Sequence, residues 1–484
     1  MNIPDDAFFA LLTRGIQQRG DATLQRALYQ ALREAILQGE LLSHSRLPGA
    51  RVIAQRAGVS RNTVNSALEQ LAIEGYLIRS RQGTYVAALN TLAESEPAPP
   101  TFVLPERLRT LPLPGRRDSP ALLLTTGMPA VNYFPLVIWR RLLDRVLRED
   151  GSTILGYGEA AGEPALREAI ARHLTLSRGI RCTARQIVIT EGALEGVNLC
   201  THLLSVAGDT AWVEEPGYFG AKSVFIKAGL QLKGIPVDGD GMCPDSVNEV
   251  APRLIFTSPS HQYPSGAVMS AGRRLALLEY ARQHDAWIVE DDYDSEFRYS
   301  GEPIQAMLGM VAQAPVVYLG TFSKTLFPSL RIGFAVMPSA LAEAAQGAIG
   351  ALLRGGHRLE QRALALFIEE GHYARHLASM RRLYRRRQQQ LREAVASEFT
   401  LANEIWGGEG GLHLTVAVDD IDDVQIVEQA RQYQMAPAAL SRFYLNPHKA
   451  RSGLVLGYGN TSAAHFVPAL RTLNRLIRQQ RGSG

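Results

Sequence analysis

A chain of 484 residues is too long for one ordinary core and predicts two or three domains. With 46% hydrophobic and 20% charged residues it reads as globular rather than disordered, and a net charge of +4 is too mild to indicate a nucleic-acid partner alone. Cys182, Cys200 and Cys243 are scattered with no CxxC pair, so no disulfide framework and no metal site is expected, and a reducing cytoplasm fits. No apolar run is long enough to span a membrane, and the N-terminus places acids, not bases, before its short apolar run, unlike a secretion signal.

In residues 1–88, Leu24, Ala27, Leu28, Ala31, Leu32, Ala35 and Ile36 form an i, i+3, i+4 stripe. That predicts an amphipathic helix over 23–38, stopped at Gly39. A short helix at 50–56, a tight turn at Ala57-Gly58-Val59 and a third helix capped by Ser60 complete a helix-turn-helix pattern. The third helix has Val64, Ala67, Leu68 and Leu71 as its core stripe. After Gly75, YLIRSRQGTYVA reads as two short strands around Ser80-Arg81-Gln82-Gly83, a wing with a basic tip. The first turn of the third helix offers Ser60, Arg61, Asn62 and Thr63, side chains suited to base edges and phosphates of double-stranded DNA. Ten arginines and no lysine against seven acids give this region +3, and the arginines gather at Arg46, Arg51, Arg56, Arg61, Arg79 and Arg81. The candidate DNA contacts are therefore Arg46, Arg51, Ser60, Arg61, Asn62, Thr63, Arg79, Arg81, Gln82 and Gly83.

Residues 89–120 carry Pro97, Pro99, Pro100, Pro105, Pro112, Pro114 and Pro120, which predicts an extended linker. From 121 onward, apolar runs at 185–190, 210–215, 253–259, 286–292, 316–322 and 330–337 alternate with helical patterns. The runs are continuous rather than alternating, as a sheet covered on both faces requires. An α/β domain with a mostly parallel sheet follows, and a smaller α/β lobe is expected from about residue 350, with an Arg-rich helix near its start.

Four segments of this domain carry chemistry. In GTFSKTLFPSLRIG, Lys324 follows a strand, where its amine can condense with an aldehyde, and Ser323, Thr321 and Arg331 can hold a phosphate. In VEDDYDSEF, Asp291 ends a buried strand, where a carboxylate can keep a pyridine nitrogen protonated, and Tyr293 can reach a ring hydroxyl. In TEGALEGV, Gly192, Ala193 and Leu194 open a helix whose free N–H groups suit a phosphate. In EEPGYFG, Tyr218 is placed to stack on a flat ring. A Schiff-base lysine, a pyridinium partner, a phosphate cup and a stacking ring together point to pyridoxal 5′-phosphate (PLP).

The stretch RLPGARVIAQRAGVSRNTVNSALEQLAIEGYLIRSRQGTYV resembles the GntR-type winged helix, although Gly49-Ala50 stands where that family usually has a Ser pair, leaving Arg51 as the phosphate contact. From about Leu123 onward the chain resembles the fold-type-I aminotransferases. SPSHQYPSG, EDDYDSEFRY and GTFSKTLFPSLRIG together are similar to the MocR/GabR regulators, which fuse the two folds. The resemblance implies a cytoplasmic regulator that binds DNA and senses an amine, an amino acid or PLP. It also implies a head-to-tail homodimer in which Tyr157 reaches the cofactor phosphate of the neighbouring subunit. An effector carboxylate is expected at Arg451, just before a strand, with Arg442 as the alternative. Tyr263 stands where many of these enzymes have an Asn contacting the ring hydroxyl, which implies weak or partial transamination. A working aminotransferase with an accessory DNA-binding domain is the competing reading.

Overall fold

The computed structural model describes residues 5–18, 20–89, 103–109, 122–244, 251–401 and 403–482. The chain divides into two compact units, Met1–Val103 and Leu104–Gly484. The expected linker at 89–120 lies mostly outside the described residues, apart from 89 and 103–109.

The first unit contains α1 (Asp5–Gln17), α2 (Leu24–Leu37), α3 (Ala50–Ala57), α4 (Arg61–Ile73) and the hairpin β1 (Leu77–Ser80) with β2 (Gly83–Val86). The expected helix-turn-helix and wing are both present. Gly58 ends α3 in the left-handed conformation at φ 65°, and the Ser60 hydroxyl accepts a hydrogen bond from the Thr63 N–H at 3.0 Å to cap α4. One core holds Leu28, Leu32, Ile53, Val64, Leu68 and Leu71, all buried. The unforeseen element is α1, which buries Phe8 and Leu12 in this core. A Cβ at Gly15 would fall 2.4 Å from Ala31 Cβ, so α1 and α2 cross at close range only because that residue is glycine.

The second unit contains, in chain order, α5 (Glu106–Arg109), α6 (Leu136–Asp150), α7 (Pro164–Ser177), β3 (Ile187–Thr190), α8 (Ala193–Leu204), β4 (Thr210–Glu215), α9 (Phe219–Ala228), β5 (Gln231–Asp238) and β6 (Gly241–Met242). It continues with β7 (Leu254–Thr257), α10 (Ala271–Gln283), β8 (Trp287–Asp292), β9 (Val316–Thr321), β10 (Gly333–Val336), α11 (Ser339–Leu352) and α12 (Arg358–Glu369). An eight-stranded sheet runs β3-β10-β9-β8-β7-β4-β5-β6. Its centre, β9, β8, β7, β4 and β5, is parallel, while β10 is antiparallel to both of its neighbours. Every residue of β3, β7 and β10 is buried, which is why these strands read as unbroken apolar runs.

The long α13 (His372–Glu398) leads into β11 (Glu404–Trp406), β12 (His413–Ala417), α14 (Asp423–Ala430), β13 (Ala438–Ala439), β14 (Gly453–Gly457) and α15 (Phe466–Gly482). The four strands form an antiparallel sheet in the order β11-β12-β14-β13. The lobe expected from about residue 350 needs correcting at its boundary. Helix α12 packs on α6 and α7 of the large sheet domain. Residues 122–124, far upstream, join the small lobe: the Leu123 N–H donates to the Gln434 carbonyl, and the Leu124 carbonyl accepts from the Gly457 N–H. Chain order alone does not show that the stretch entering the unit returns to its C-terminal lobe.

Candidate functional site

Parallel strands point their C-terminal ends to one edge of a sheet, and ligands bind there in open α/β folds. The expected residues gather at such ends. Asp291 is the next-to-last residue of β8, and Lys324 follows β9, the hydrogen-bonded neighbour of β8. Tyr218 follows β4 at the start of α9, and Gly192 follows β3 at the start of α8.

The Lys324 ammonium donates to the Gly127 carbonyl at 2.9 Å. Gly127 has φ +68°, which favours glycine, and a Cβ there would lie 2.7 Å from Lys324 Nζ, so the backbone passes close to the lysine tip. Asp291 is 5% exposed, and its Oδ1 is buried with no hydrogen-bond partner among the described residues. Burial, reinforced by Asp292, Glu214 and Asp294, pushes its carboxyl up to about 7. A buried acceptor held near its ionisation point, with one oxygen open, lacks a cationic N–H partner.

Arg331 sits in the left-handed region at φ 51° and donates to the Glu191 carbonyl at 2.6 Å. A Cβ on Gly192 would be 3.4 Å from the Arg331 guanidinium. The guanidinium therefore lies beside the start of α8, an end of a helix whose first N–H groups suit an anion. The Thr321 hydroxyl accepts from the Ser323 N–H at 3.2 Å and orders the turn before Lys324. Tyr157 is fully exposed.

Three aromatic rings line the cleft. Tyr263 lies edge-on to Tyr218 at 6.3 Å and to Tyr293 at 6.0 Å between centroids. Burial pushes the Tyr263 hydroxyl up to about 12 and Tyr293 well above the usual phenol range, so both stay protonated. Tyr293 Oη lies 3.0 Å from His261 Nδ1, which itself lies 2.9 Å from Asp294 Oδ1. His413 packs 5.2 Å from His261, and burial followed by that neighbour depresses it to about 3. His261, Asp294, His413 and Gly127 were missed in the sequence. The first two stand inside motifs already singled out, SHQYPSG and DDYDSEF, where a histidine and an acid near a ring-contacting tyrosine were the available signal.

The two arginines expected to meet an effector carboxylate have different surroundings. Arg451 does precede β14, but its guanidinium is paired with Glu404 at 3.0 Å and Asp419 at 3.5 Å and lies over the Trp406 ring. Two carboxylates already occupy it. Arg442 is exposed in the short turn that ends in Phe443, whose ring packs 5.1 Å from Tyr263.

On the first unit, Arg51, Arg61, Asn62, Arg79, Arg81 and Gln82 are exposed. Arg46 is also exposed and lies against the wing, where a Cβ on Gly83 would come within 2.9 Å of its Nε. Ser60 and Thr63 hydroxyls bond each other at 2.8 Å, so these two side chains serve the helix cap first. Arg56 is exposed too, and it pairs with Asp6 at 3.5 Å and lies over the Phe9 ring.

The fold and cleft together define a winged-helix protein carrying a fold-type-I aminotransferase scaffold. Residues 24–86 match the bacterial regulatory proteins of the gntR family, and residues 123–436 match aminotransferase class I and II. The chain belongs to the MocR-type HTH transcriptional regulators that join these two domains. It is 37% identical to the "Probable rhizopine catabolism regulatory protein MocR" of Rhizobium meliloti, over 97% of each chain. It is 30% identical to the pyridoxine biosynthesis transcriptional regulator PdxR of Corynebacterium glutamicum, over 90% of this chain and 91% of that one. Among solved structures, a Pyrococcus horikoshii kynurenine aminotransferase in complex with PMP is 27% identical, with a TM-score of 0.69 over 75% of this chain and 91% of that chain. No helix among the described residues is long and apolar enough to cross a membrane.

Proposed function

We propose that this regulator holds PLP on Lys324 and binds operator DNA through its winged helix. An amine, an amino acid or PLP itself in the cleft alters that DNA binding. The observation that carries the reading is Asp291, buried with an unpartnered Oδ1 and a carboxyl near 7 at the strand end beside Lys324. That acceptor suits a pyridinium N–H, and Arg331 beside the start of α8 suits the phosphate at the other end of the same molecule. A relative named for pyridoxine biosynthesis and a solved neighbour complexed with PMP support the same ligand class.

PLP supplies an aldehyde that a primary amine can capture and a ring that withdraws electrons from it. The protein's part is placement. Lys324 offers the amine, and Asp291 holds the ring proton. Arg331 and the N–H groups of Gly192, Ala193 and Leu194 bind the phosphate, with Ser323 and Thr321 shaping the turn. Tyr218 stacks on the ring, Tyr293 donates to its hydroxyl, and Tyr263 closes the wall between them. Exposed Tyr157 completes the phosphate site of a second subunit in a homodimer. In the winged helix, Arg61 and Asn62 face base edges, while Arg46, Arg51, Arg79 and Arg81 hold the backbone. Arg442, exposed beside the cleft wall, is better placed to select a carboxylate than the already paired Arg451.

The test is covalent. Borohydride treatment of PLP-loaded protein is expected to fix the cofactor on the peptide containing Lys324. A label on another lysine, or none, overturns the reading.

A further inference from the structure

We propose that His261, oriented by Asp294, directs the proton of the Tyr293 hydroxyl into the cleft and thereby tunes how tightly the Lys324–cofactor linkage holds its own proton. The proposal rests on the cofactor reading above and adds two positioning residues to it.

The geometry leaves few arrangements. His261 Nδ1 lies 2.9 and 3.2 Å from the two Asp294 oxygens and 3.0 Å from Tyr293 Oη. Burial raises the Asp294 carboxyl and the His261 contact draws it back down; in its ionised form the carboxylate only accepts, so the proton then sits on Nδ1 and is donated to Asp294. The Tyr293 oxygen shares that N–H as an acceptor. Its own proton must then point elsewhere, toward the cleft that holds Asp291 and Lys324.

The slot is built for this ring. His261 is 5% exposed and Asp294 1%. A Cβ on Gly411 would fall 2.0 Å from His261 Cε1, and one on Gly266 would lie 3.3 Å from Nε2. Both glycines have φ in the left-handed region, +79° and +73°, so neither position suits another residue. Nε2 has no partner among the described residues, so no acceptor there holds the ring proton on that nitrogen.

Donor atoms of His261, Asp294 and His413 all lie within 4.8 Å of one another. A shared cation is nevertheless a poor fit, because Asp294 sits at Nδ1 while the open nitrogen is Nε2, on the opposite edge of the ring. The ionisable groups that face this relay are Asp291 and Asp292 on β8, Glu214 on β4, Lys324 after β9, Tyr263 after β7 and His413 on β12. None of them lies within hydrogen-bond range of His261 Nδ1 among the described contacts.

A phenol that donates to the cofactor's ring oxygen draws negative charge away from the linkage nitrogen and lowers its proton affinity. Without His261 the phenol proton is no longer directed. In Asp294→Asn, an amide N–H can donate to Nδ1 and reverse the tautomer, so that Nδ1 takes the Tyr293 proton instead; a buried carboxylate orienting a histidine has the same sensitivity in the serine hydrolases.

The experiment follows the absorbance of the lysine-bound cofactor against pH in the full-length, PLP-loaded protein. His261→Ala and Asp294→Asn are each expected to raise the midpoint by roughly half to one unit, a ~3–10-fold gain in proton affinity and the scale of one hydrogen bond. His261→Asn, whose amide can replace the Nδ1 proton, is expected to restore most of it. In a Tyr293→Phe background, His261→Ala should add nothing. An unchanged midpoint in both single variants, or an equal shift with Tyr293 absent, overturns the proposal. If His261→Ala fails to fold, the nearly isosteric Asp294→Asn and its Tyr293→Phe double variant carry the same comparison. A wild-type protein that forms no absorbing linkage overturns the cofactor reading itself, a result distinct from an unshifted midpoint.

Discussion

The recognition face of the winged helix and the cleft of the aminotransferase scaffold organise polar side chains in opposite ways. The DNA face places Arg61, Asn62, Arg79 and Arg81 in solvent on one capped helix turn and one hairpin tip, all within 21 residues of sequence. The cleft buries Asp291, Asp294 and His261 and draws its members from strand ends far apart in the chain; Lys324 and Gly127 are 197 residues apart. Exposed charges interact weakly, are screened by salt and act nearly independently. Buried ones perturb each other strongly, so a change at one is felt by all. Substitutions in the cleft should therefore give large, pH-dependent and coupled effects, and those on the DNA face modest, salt-dependent and separable ones.

The largest effect is expected at Asp291. Its carboxyl, normally near 3.8, is raised to about 7 in the folded, cofactor-free protein. Between those values the folded state keeps a proton that the unfolded state releases. Stability from this group is thus full below about pH 4 and lost as pH rises through about 7. Asp291→Asn should leave stability near pH 4 little changed and exceed wild type at pH 8, by up to ~4 kcal/mol. Thermal melts of the cofactor-free proteins at the two pH values check this; a difference that does not depend on pH would break the contrast.

An intermediate effect is expected at Arg61. Arg61→Ala should cost on the order of 1–3 kcal/mol of operator affinity and relax specificity, with the cofactor absorbance unchanged. Affinity titrations across salt concentrations, with absorbance recorded in parallel, check both halves. The smallest belongs to Ser60. As the cap of α4 it should contribute ~1 kcal/mol to stability, and Ser60→Ala should lower the melting temperature of the winged helix while changing operator affinity less than Arg61→Ala.

What the sequence disclosed follows the same division. The helix-turn-helix was legible because its signals are local: a 3.6-residue stripe, a Gly58 turn and a Ser60 cap. The parallel strands β4, β7, β8 and β9 were legible as continuous apolar runs, whereas β5 was not, because QLKGIPVD is mostly half-buried or exposed and carries no such run. Helix α1 was not, because its Phe8–Leu12 face is too short to show a period. The passage of residues 122–124 into the small lobe depends on pairings with residues more than 300 positions away. In the cleft, Lys324, Asp291 and Arg331 could be placed because each sits at a strand end within a recognisable segment. The His261–Asp294 contact could not, since no local pattern reports that two loops 33 residues apart face one another. The partners of Arg451 were hidden for the same reason. Its position before β14 was correct, but Glu404 and Asp419, 47 and 32 residues away, decide where its guanidinium goes.

The central claim is that the cleft and the DNA face are coupled. A ligand shifts DNA binding only if it binds two conformations with different affinity. The most direct test measures operator affinity with and without an amine that changes the cofactor spectrum, in wild type and in Lys324→Ala at one salt concentration. The account predicts a change of ~5–150-fold in wild type, the scale of an ordinary allosteric coupling, and none in Lys324→Ala. A clear spectral response in wild type with unchanged operator affinity would contradict it.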